Sequence, residues 1–385
     1  MRFSGEPPNS PFLDRLRAGA AQRAEAGLTR RLRPRSADLT LLDLAANDYL
    51  GLATDPRVAG AAAEAALRWG AGAAASRLVS GTLDLHASLE VALAEFCRQP
   101  AALVFSSGYL ANLGVVTALT DRDTLVVSDA HVHASLVDAC RLSRARVAVV
   151  PHGDVAAVDA ALASREEPYA VVLAESVYSV LGDAAPLAAL AEVTRRRGAV
   201  LVVDEAHGIG VAGPEGRGLV EALDLARRPD VVVTVTLSKA LGSQGGAVLG
   251  APEVIEQLIN TARPFIFDTG LNPAAAAAAL QAVKVVGTEP ERVAAMHACA
   301  AALAAAAGAQ TPDGAVLSVP VASPEMAVAG AAAFLNGGVR VGCFRPPSVP
   351  DGVSRLRLTS RATLTGPDLE CAATVVRAVL AKLSS

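Results

Sequence analysis

The feature that most constrains this chain is a series of short apolar runs that alternate with helix-forming stretches. Most runs are rich in valine. Each is followed by a polar or glycine-rich turn and then by a segment rich in alanine and leucine. Continuous apolar runs of this length indicate strands buried on both faces, so the alternation predicts an α/β fold with a largely parallel sheet. The predicted strands are ALVF at 102–105, TLVVSD at 124–129, RVAVV at 146–150, AVVLAES at 170–176, AVLVVDEAHG at 199–208, DVVVTVTLSK at 230–239 and GAVLG at 246–250.

The regions on either side of this series predict two further units. Residues 1–46 are expected to form an arginine-rich helical arm that ends at Pro34, by the rules for turns and helix breakers. Residues 47–285 then form the large α/β domain. Residues 286–385 predict a smaller α+β domain, in which an alanine-rich helix precedes the strands AVLSVPV, VRVGCFRPP and SRLRLTSRA. A chain of 385 residues fits this division into one large and one smaller domain.

Composition narrows the class of protein. Charged residues make up 19% of the chain and the formal net charge is -4, which indicates a folded protein and gives no sign of nucleic-acid binding. Apolar segments are interrupted before about 18 residues, and the start MRFSGEPPNS lacks the pattern of a signal peptide. We therefore expect no membrane span and a cytoplasmic location. Five widely spaced cysteines without a C-x-x-C pair predict reduced thiols and no metal site.

Polar side chains follow the ends of several predicted strands. In open α/β sheets a ligand binds beyond the carboxyl ends of the strands, so these side chains are expected to meet in one crevice. An acid, two histidines, several hydroxyls and a lysine isolated in sequence suit an aldehyde cofactor that carries a phosphate. The residues at these strand ends are Ser106, Ser107, Gly108, Asp129, His133, Glu175, Ser179, Asp204, His207, Thr236, Ser238 and Lys239.

The lysine, the acid and the first helix turn have distinct expected roles. Lys239 lies in a tight turn after a buried strand, where loss of water lowers the pKa of an amine and favours a covalent bond to an aldehyde. Asp204 can pair with a protonated pyridine nitrogen, which makes the ring an electron sink. Gly108 and Tyr109 open a helix after a strand, and their backbone N–H groups can hold a phosphate.

The remaining hydroxyls and histidines complete this predicted cofactor site. Thr236 and Ser238 offer hydroxyls to the same phosphate. His133 could stack on the cofactor ring, and His207 could hydrogen-bond to its phenolic oxygen. The sequence therefore predicts a pyridoxal-phosphate (PLP) site around Lys239.

Other interpretations of these motifs stay open at this level. A lysine after a strand is most often a solvated surface residue. The D-x-H-x-H spacing at 129–133 could bind a metal, but no third group of ligands follows, so His131 is interpreted as a surface or loop residue. DEAH at 204–207 resembles a helicase motif, yet the chain has no G-x-x-x-x-G-K-[ST] loop. His152 and His297 are interpreted as structural or exposed.

Taken together, the motifs resemble those of the α-oxoamine synthases, which are PLP enzymes with the aspartate-aminotransferase fold. The resemblance extends from about residue 28 to residue 365, and it implies PLP-dependent fold type I. The motifs that carry it are NDYLGL at 47–52, SRLVSGTLDLH at 76–86, FSSGYLAN at 105–112, HASL at 133–136, DEAHGIG at 204–210, TLSKALGSQGG at 236–246, RPFIFDTG at 263–270, RPPSVP at 345–350 and SRLRLT at 354–359.

The resemblance implies the same roles for the cofactor residues and adds two expectations. It assigns the cofactor lysine to Lys239, the pyridinium acid to Asp204 and the stacking histidine to His133. Thr269 in FIFDTG would reach the phosphate of the partner subunit, which makes a homodimer with shared active sites the expectation. The residues that fall in the family's cofactor shell are Gly108, Tyr109, Ser179, His207 and Thr236.

The resemblance also implies a reaction and its substrates. The group it matches best joins L-alanine to a pimeloyl thioester, carried by coenzyme A or an acyl carrier protein, with loss of carbon dioxide, in biotin biosynthesis. Arg30, His133 and Ser348 match positions that meet the substrates, and neighbouring Arg31 and Arg33 leave the register of Arg30 open. A sister synthase that uses glycine and another acyl-CoA, or an aminotransferase, shares most of these motifs and stays an alternative.

Two segments depart from the family pattern. Ala74 and Ala75 precede Ser76 where the family has G-[ST]-G-S-R, and a residue there that needs a positive φ would be strained. Leu181 in SVLGD replaces an acid of the family pattern S-M-D-G-D. Both segments lie near the predicted crevice, so we expect them to affect substrate detail and not cofactor use.

Overall fold

The computed structural model describes residues 10–38, 41–346 and 348–384, in which strands and helices alternate along most of the chain. The strands are β1 (Leu42–Asp43), β2 (Ala101–Phe105), β3 (Thr124–Asp129), β4 (Arg146–Val150), β5 (Tyr169–Glu175), β6 (Val200–Asp204), β7 (Val231–Thr236), β8 (Gly246–Gly250), β9 (Val316–Pro320), β10 (Val339–Arg340), β11 (Gly342–Phe344) and β12 (Arg355–Thr359). The α-helices are α1 (Pro11–Glu25), α2 (Pro56–Trp69), α3 (Asp84–Phe96), α4 (Gly108–Leu119), α5 (Ala134–Ser143), α6 (Val155–Ala163), α7 (Leu187–Arg197), α8 (Leu219–Ala222), α9 (Pro252–Thr261), α10 (Arg263–Ile266), α11 (Pro273–Thr288), α12 (Glu291–Ala307), α13 (Pro324–Asn336) and α14 (Gly366–Ser384).

The central sheet has the mostly parallel order that the apolar runs predict. Among the described residues it contains seven strands, in the order β2-β8-β7-β6-β5-β3-β4. Strand β8 is antiparallel to both of its neighbours, and the other pairs are parallel. All residues of β3, β7 and β8 are buried, because helices cover both faces of the sheet.

Alternate residues of each strand enter two hydrophobic cores on opposite faces of this sheet. Val202 of β6 packs in the core that contains residues of α4, α5 and α9. Leu201 and Val203 pack in the other core, with residues of α3, α7 and α11. Burial on both sides fixes the sheet position and carries the carboxyl ends of β3, β5, β6 and β7 to one edge.

The C-terminal unit has a small sheet and a core of its own. Strands β11, β12 and β9 form an antiparallel sheet in that order, and residues of α12, α13 and α14 pack in the same core. The short strand β1 pairs in parallel with β10, and Leu44 is buried in this core. The last residues of the predicted arm thus pack with the C-terminal unit, and α11 continues through Thr288, past the boundary predicted at 285.

The N-terminal arm is helical over a shorter length than predicted. Helix α1 covers Pro11–Glu25, and residues 26–38 form neither helix nor strand, so the predicted helix end at Pro34 is wrong. Gly27 adopts a φ of 65° just after the helix, a conformation that ends helices and that glycine adopts without strain. None of the residues of α1 is buried.

In the described part of the chain, no helix combines the length and the apolar character that spanning a bilayer requires.

Candidate active site

The first turn of α4 and the end of β7 form a cradle for an anion. Ser107 caps α4, since its hydroxyl accepts a hydrogen bond of 3.1 Å from the backbone N–H of Leu110. A Cβ atom on Gly108 would come within 3.0 Å of the Thr236 side chain, so glycine permits the close approach. The hydroxyls of Thr236 and Ser238 lie 2.7 Å apart. A helix N-terminus with two hydroxyls beside it is suited to a phosphate.

Asp204 ends β6 as a buried carboxylate with fixed orientation. Asn112 Nδ2 donates to Asp204 Oδ2 over 2.7 Å, and the backbone N–H of Ala206 donates to Oδ1 over 2.8 Å. The Asn112 amide is itself oriented, because its Oδ1 accepts from Thr234 Oγ1 at 2.7 Å. A carboxylate held in this way can pair with a protonated ring nitrogen.

His133 is connected to Asp204 through two side chains. The hydroxyl of Ser135 lies 2.7 Å from His133 Nδ1 and accepts a 2.8 Å hydrogen bond from Asn112 Nδ2. Burial lowers the pKa of His133, which favours the neutral ring that stacks on another aromatic ring. The structure therefore brings His133 and Asp204 into one network, and Asn112 is the connecting residue that the sequence did not single out.

Lys239 forms a second chain of contacts on the same crevice. Its Nζ lies 2.8 Å from His207 Nε2, and His207 Nδ1 lies 2.7 Å from the hydroxyl of Tyr49. Burial lowers the pKa of Lys239 to about 8, and the Arg357 charge acts in the same direction against Asp204 and Glu175. About a tenth of the amine is then unprotonated at pH 7, and this is the form that bonds to an aldehyde.

The buried Arg357 of β12 also enters this crevice, and the sequence did not single it out. Its Nε donates to the backbone carbonyl of Ser179 over 2.8 Å, and its Nη1 donates to Asn47 Oδ1 over 3.0 Å. Its Nη2 lies 3.4 Å from the Tyr49 hydroxyl. Within the described residues no carboxylate forms an ion pair with this guanidinium. A buried cation that lacks a counter-ion beside Lys239 is suited to the carboxylate of a substrate.

Ser179 and Glu175 form one wall of this crevice. The backbone N–H of Ser179 donates to Glu175 Oε2 over 3.0 Å. Glu175 is buried, and burial together with the nearby Asp204 charge raises its pKa to about 8. Ser179 belongs to a hairpin, residues 177–184, that is closed by the bridge between Val177 and Ala184. Leu181 lies partly exposed at its tip, beside Gly182, whose φ is 80°.

Several predicted site residues make contacts other than those that the sequence predicts for them. The Tyr109 hydroxyl donates to Asp138 over 2.5 Å, and the side chain is exposed. Asp129 accepts from His152 Nδ1 at 3.0 Å, so His152, which the sequence predicts to be structural or exposed, is partly buried beside an acid. Ser106 donates to Asp268. In the described segments no cluster of histidine, cysteine or acidic side chains could hold a metal ion.

Two of the predicted substrate residues, Arg30 and Ser348, and the predicted dimer residue Thr269 lie on the surface. Arg30 Nη2 donates to Ser348 Oγ over 2.8 Å, so the structure brings these two residues together. Thr269 is exposed and bridges to Ser76. Nearby Ala74 adopts a φ of 66°, which is the strained conformation expected for a non-glycine residue in this turn.

The chemistry of this donor set fits PLP. The amine of lowered pKa suits the cofactor's aldehyde, and the buried, oriented carboxylate suits its ring nitrogen. The neutral histidine suits the face of the ring, and the anion cradle suits the phosphate. Residues 40–376 match the family model for class I and II aminotransferases. The chain belongs to this family.

Relatives within the family carry a more specific name. The chain is 58% identical over 362 residues to the 8-amino-7-oxononanoate synthase of Mycobacterium sp. (strain JLS), covering 94% of this chain and 95% of the relative. It is 59% identical over 367 residues to the synthase of that name from Mycobacterium bovis, covering 95% of both chains. The resemblance to the α-oxoamine synthases is therefore confirmed.

A solved structure supports the same fold. SPT, a serine palmitoyltransferase that carries PLP as an internal aldimine, superposes on this chain with a TM-score of 0.89. The two chains are 32% identical, and the match covers 97% of this chain and 98% of that chain. The fold is fold type I of the PLP-dependent transferases, as the sequence predicted, and the cofactor of this family is PLP.

Proposed function

We propose that this chain condenses L-alanine with a pimeloyl thioester, with loss of carbon dioxide, to give 8-amino-7-oxononanoate in biotin biosynthesis. Relatives 58% and 59% identical over nearly the whole chain carry the name of this synthase. The observation that carries the proposal is the position of Lys239, whose amine of lowered pKa lies near both the oriented Asp204 and the unpaired Arg357. An amino-acid substrate needs all three, namely a base, an electron sink and a partner for its carboxylate.

The residues that would hold PLP follow from the site. Lys239 would bond to its aldehyde, Asp204 would pair with its ring nitrogen, and His133 would lie against its ring. His207 and Ser179 would contact its phenolic oxygen. When bound, PLP supplies an electron sink that stabilises negative charge on the α-carbon of the amino acid. The phosphate would bind at the anion cradle, made by Gly108, the backbone of Tyr109, Thr236 and Ser238.

Lys239 and Arg357 divide the chemical work on alanine. The guanidinium of Arg357 binds the alanine carboxylate through the N–H groups that Ser179, Asn47 and Tyr49 leave available. The Lys239 amine, once free, takes the α-proton at Nζ, because a pKa of about 8 leaves part of it unprotonated at neutral pH. His207 holds that amine in place through its 2.8 Å contact and stays neutral, since burial lowers its own pKa.

Arg30 and Ser348 are proposed as the acyl end of the site. A pimeloyl chain ends in a free carboxylate, which requires a cation at the end of its path. Arg30 Nη2 donates to Ser348 Oγ over 2.8 Å, so the hydroxyl steadies the guanidinium for this contact. The carrier of the thioester is proposed to be coenzyme A or an acyl carrier protein.

A homodimer with shared sites is proposed from the surface around Thr269. Phe267 is 69% exposed and Val79 is 80% exposed, so large apolar side chains lie near Thr269 and Ser76 without a cover. Mixing an inactive Lys239→Ala variant with an inactive Thr269→Ala variant should restore part of the activity, because one hybrid site would be intact. No recovery after proven subunit exchange would contradict shared sites. A cytoplasmic location stays a prediction from sequence.

The reaction is tested by its products. PLP-loaded protein is incubated with L-alanine and pimeloyl-CoA, and released carbon dioxide, free thiol and the amino-ketone product are measured. The proposal predicts equal amounts of all three, with glycine a poorer substrate than alanine. Transfer of the amino group to a keto acid without thiol release would identify an aminotransferase. Preference for glycine with a different acyl-CoA would identify a sister synthase.

A further inference from the structure

A cluster of polar side chains beside the active site has no role in the proposed reaction. His152 follows β4 and lies between two acids, with Nδ1 3.0 Å from Asp129 Oδ1 and Nε2 2.8 Å from Asp183 Oδ2. The ring of His131 stacks on the ring of His152, with centroids 4.3 Å apart. The ring of Tyr178 packs edge-on against His152 at the same centroid distance. The contacts hold the imidazole from four sides.

The chemistry of these contacts identifies the protonation state of His152. Both ring nitrogens face carboxylate oxygens, which accept hydrogen bonds and cannot donate them when ionised. Both nitrogens must then carry a proton, so the ring is an imidazolium. In agreement, the hydrogen bonds to Asp129 and Asp183 raise the pKa of His152 to about 10.

The charged groups around His152 are consistent with a single cation. Burial and the His152 charge lower the pKa of His131, which therefore stays neutral in the stack. Asp129 is held in place independently by backbone N–H groups of His131 at 2.7 Å and Gly153 at 2.8 Å. In the described part of the chain, the Asp183 carboxylate accepts a hydrogen bond only from His152, so its position depends on that contact.

Asp183 belongs to the 177–184 hairpin that forms a wall of the active site. The Tyr178 N–H donates to the carbonyl of Asp183 over 2.9 Å, and the Gly182 N–H donates to the carbonyl of Tyr178 over 2.9 Å. Between them, the Ser179 carbonyl accepts from Arg357 Nε. The hairpin thus connects the ion pair of His152 at one side with the guanidinium of Arg357 at the other.

We propose that His152 is a positioning residue for the amino-acid site: its imidazolium bridges Asp129 to Asp183, fixes the 177–184 hairpin, and through Ser179 sets the orientation of Arg357. The anchored Asp129 at the end of β3 supplies the rigid side of the bridge. The inference rests on the proposed role of Arg357 in binding the substrate carboxylate. It does not require contact between His152 and any substrate.

The test compares two variants of the bridge with a matched control. His152→Gln removes the charge and one of the two donors, and Asp183→Asn removes the charge on the hairpin side. His297→Gln is the control, since His297 is also partly buried but contacts the Val211 carbonyl at 2.9 Å. For each PLP-loaded protein, hydrogen exchange of the hairpin amides is followed, and L-alanine is titrated by absorbance without thioester.

Both bridge variants should speed exchange in the hairpin. In His152→Gln the dissociation constant for alanine should rise roughly tenfold to a hundredfold, the size expected if Arg357, no longer oriented, loses one hydrogen bond to the alanine carboxylate. The KM for the thioester should stay unchanged, and His297→Gln should match the wild type. A purely structural histidine would alter both substrates alike.

Unchanged hairpin exchange and unchanged alanine affinity in both bridge variants would overturn the inference. If His152→Gln does not fold, Asp183→Asn decides by the same two measurements. If the wild type shows no response to any amino acid, the proposed function fails, and hairpin exchange still tests whether His152 fixes the hairpin.

Discussion

Replacing Arg357 by glutamine should abolish most of the affinity for alanine. A guanidinium has five N–H donors, and Arg357 directs three of them to Ser179, Asn47 and Tyr49. The two that remain can bind a carboxylate. Each hydrogen bond between charged groups contributes about 1.5 to 3 kcal/mol, so the loss of two corresponds to about 3 to 6 kcal/mol. Affinity should therefore fall by roughly a hundredfold to ten-thousandfold.

The assay is a titration of PLP-loaded protein with L-alanine, followed by absorbance. Arg355→Gln is the matched control, because Arg355 lies two residues earlier on β12 and its hydrogen bonds go to Asp351 and to the carbonyl of Val353. That variant should lose stability and keep its affinity for alanine. An Arg357→Gln protein that folds normally and binds alanine as tightly as the control would refute the assignment of Arg357 to the substrate carboxylate.

The same substitution should shift the pH dependence of α-hydrogen exchange in alanine. The Arg357 charge lowers the pKa of Lys239, so its removal raises that pKa above the wild-type value of about 8. The Lys239 base must be unprotonated to take the α-proton. The limb of α-hydrogen exchange that rises with pH should therefore shift to higher pH in Arg357→Gln, and an unshifted limb would contradict the electrostatic link.

Three further predictions concern other parts of the chain. Asp204→Asn should still bind PLP but lose most deuterium exchange at the alanine α-carbon, because the ring nitrogen loses its anionic partner, and near-normal exchange would count against the role of Asp204. Ala74→Gly should raise the free energy of unfolding by about 1 kcal/mol in denaturant titrations, since a positive φ costs alanine about 1 to 2 kcal/mol and glycine gains some freedom when unfolded; a loss of stability would show that Ala74 is not strained. Because the pKa of His152 is raised to about 10, its ion pairs stabilise the fold fully below about pH 6.5, and this stabilisation is lost as the pH rises through about 10. His152→Gln should therefore lose less stability at alkaline pH than the wild type. Identical profiles of unfolding free energy against pH in the two proteins would contradict this prediction.

The strand pattern was sufficient to predict the central sheet. Valine-rich runs such as β6 and β7 are buried on both faces, and such burial leaves a continuous apolar signal in the sequence. Strand β1 has two residues and no such signal. It forms because Leu44 enters the core of the C-terminal unit, a contact between segments about 300 residues apart that no local pattern records.

The candidate site also contains some residues that the local sequence pattern predicts and others that it does not. Lys239, Asp204 and His207 lie at or just after strand ends. Because ligands of open α/β sheets bind beyond the carboxyl ends of the strands, the sequence predicted that these residues lie together. Asn112 lies inside a helix, and Arg357 reaches the crevice from the C-terminal unit through Asn47 and Ser179. Their motifs were visible, but their contacts depend on how distant segments pack.

The most direct test of the account is to identify the lysine that bonds to PLP. The chain has three lysines, Lys239, Lys284 and Lys382, so the experiment has few possible outcomes. PLP-loaded protein is treated with borohydride, which makes the lysine–cofactor bond permanent, and the labelled peptide is found by mass spectrometry. We expect the label on Lys239, and we expect it to be lost when alanine is added before the reductant. A label on Lys284 or Lys382, with Lys239 unmodified, would contradict the account.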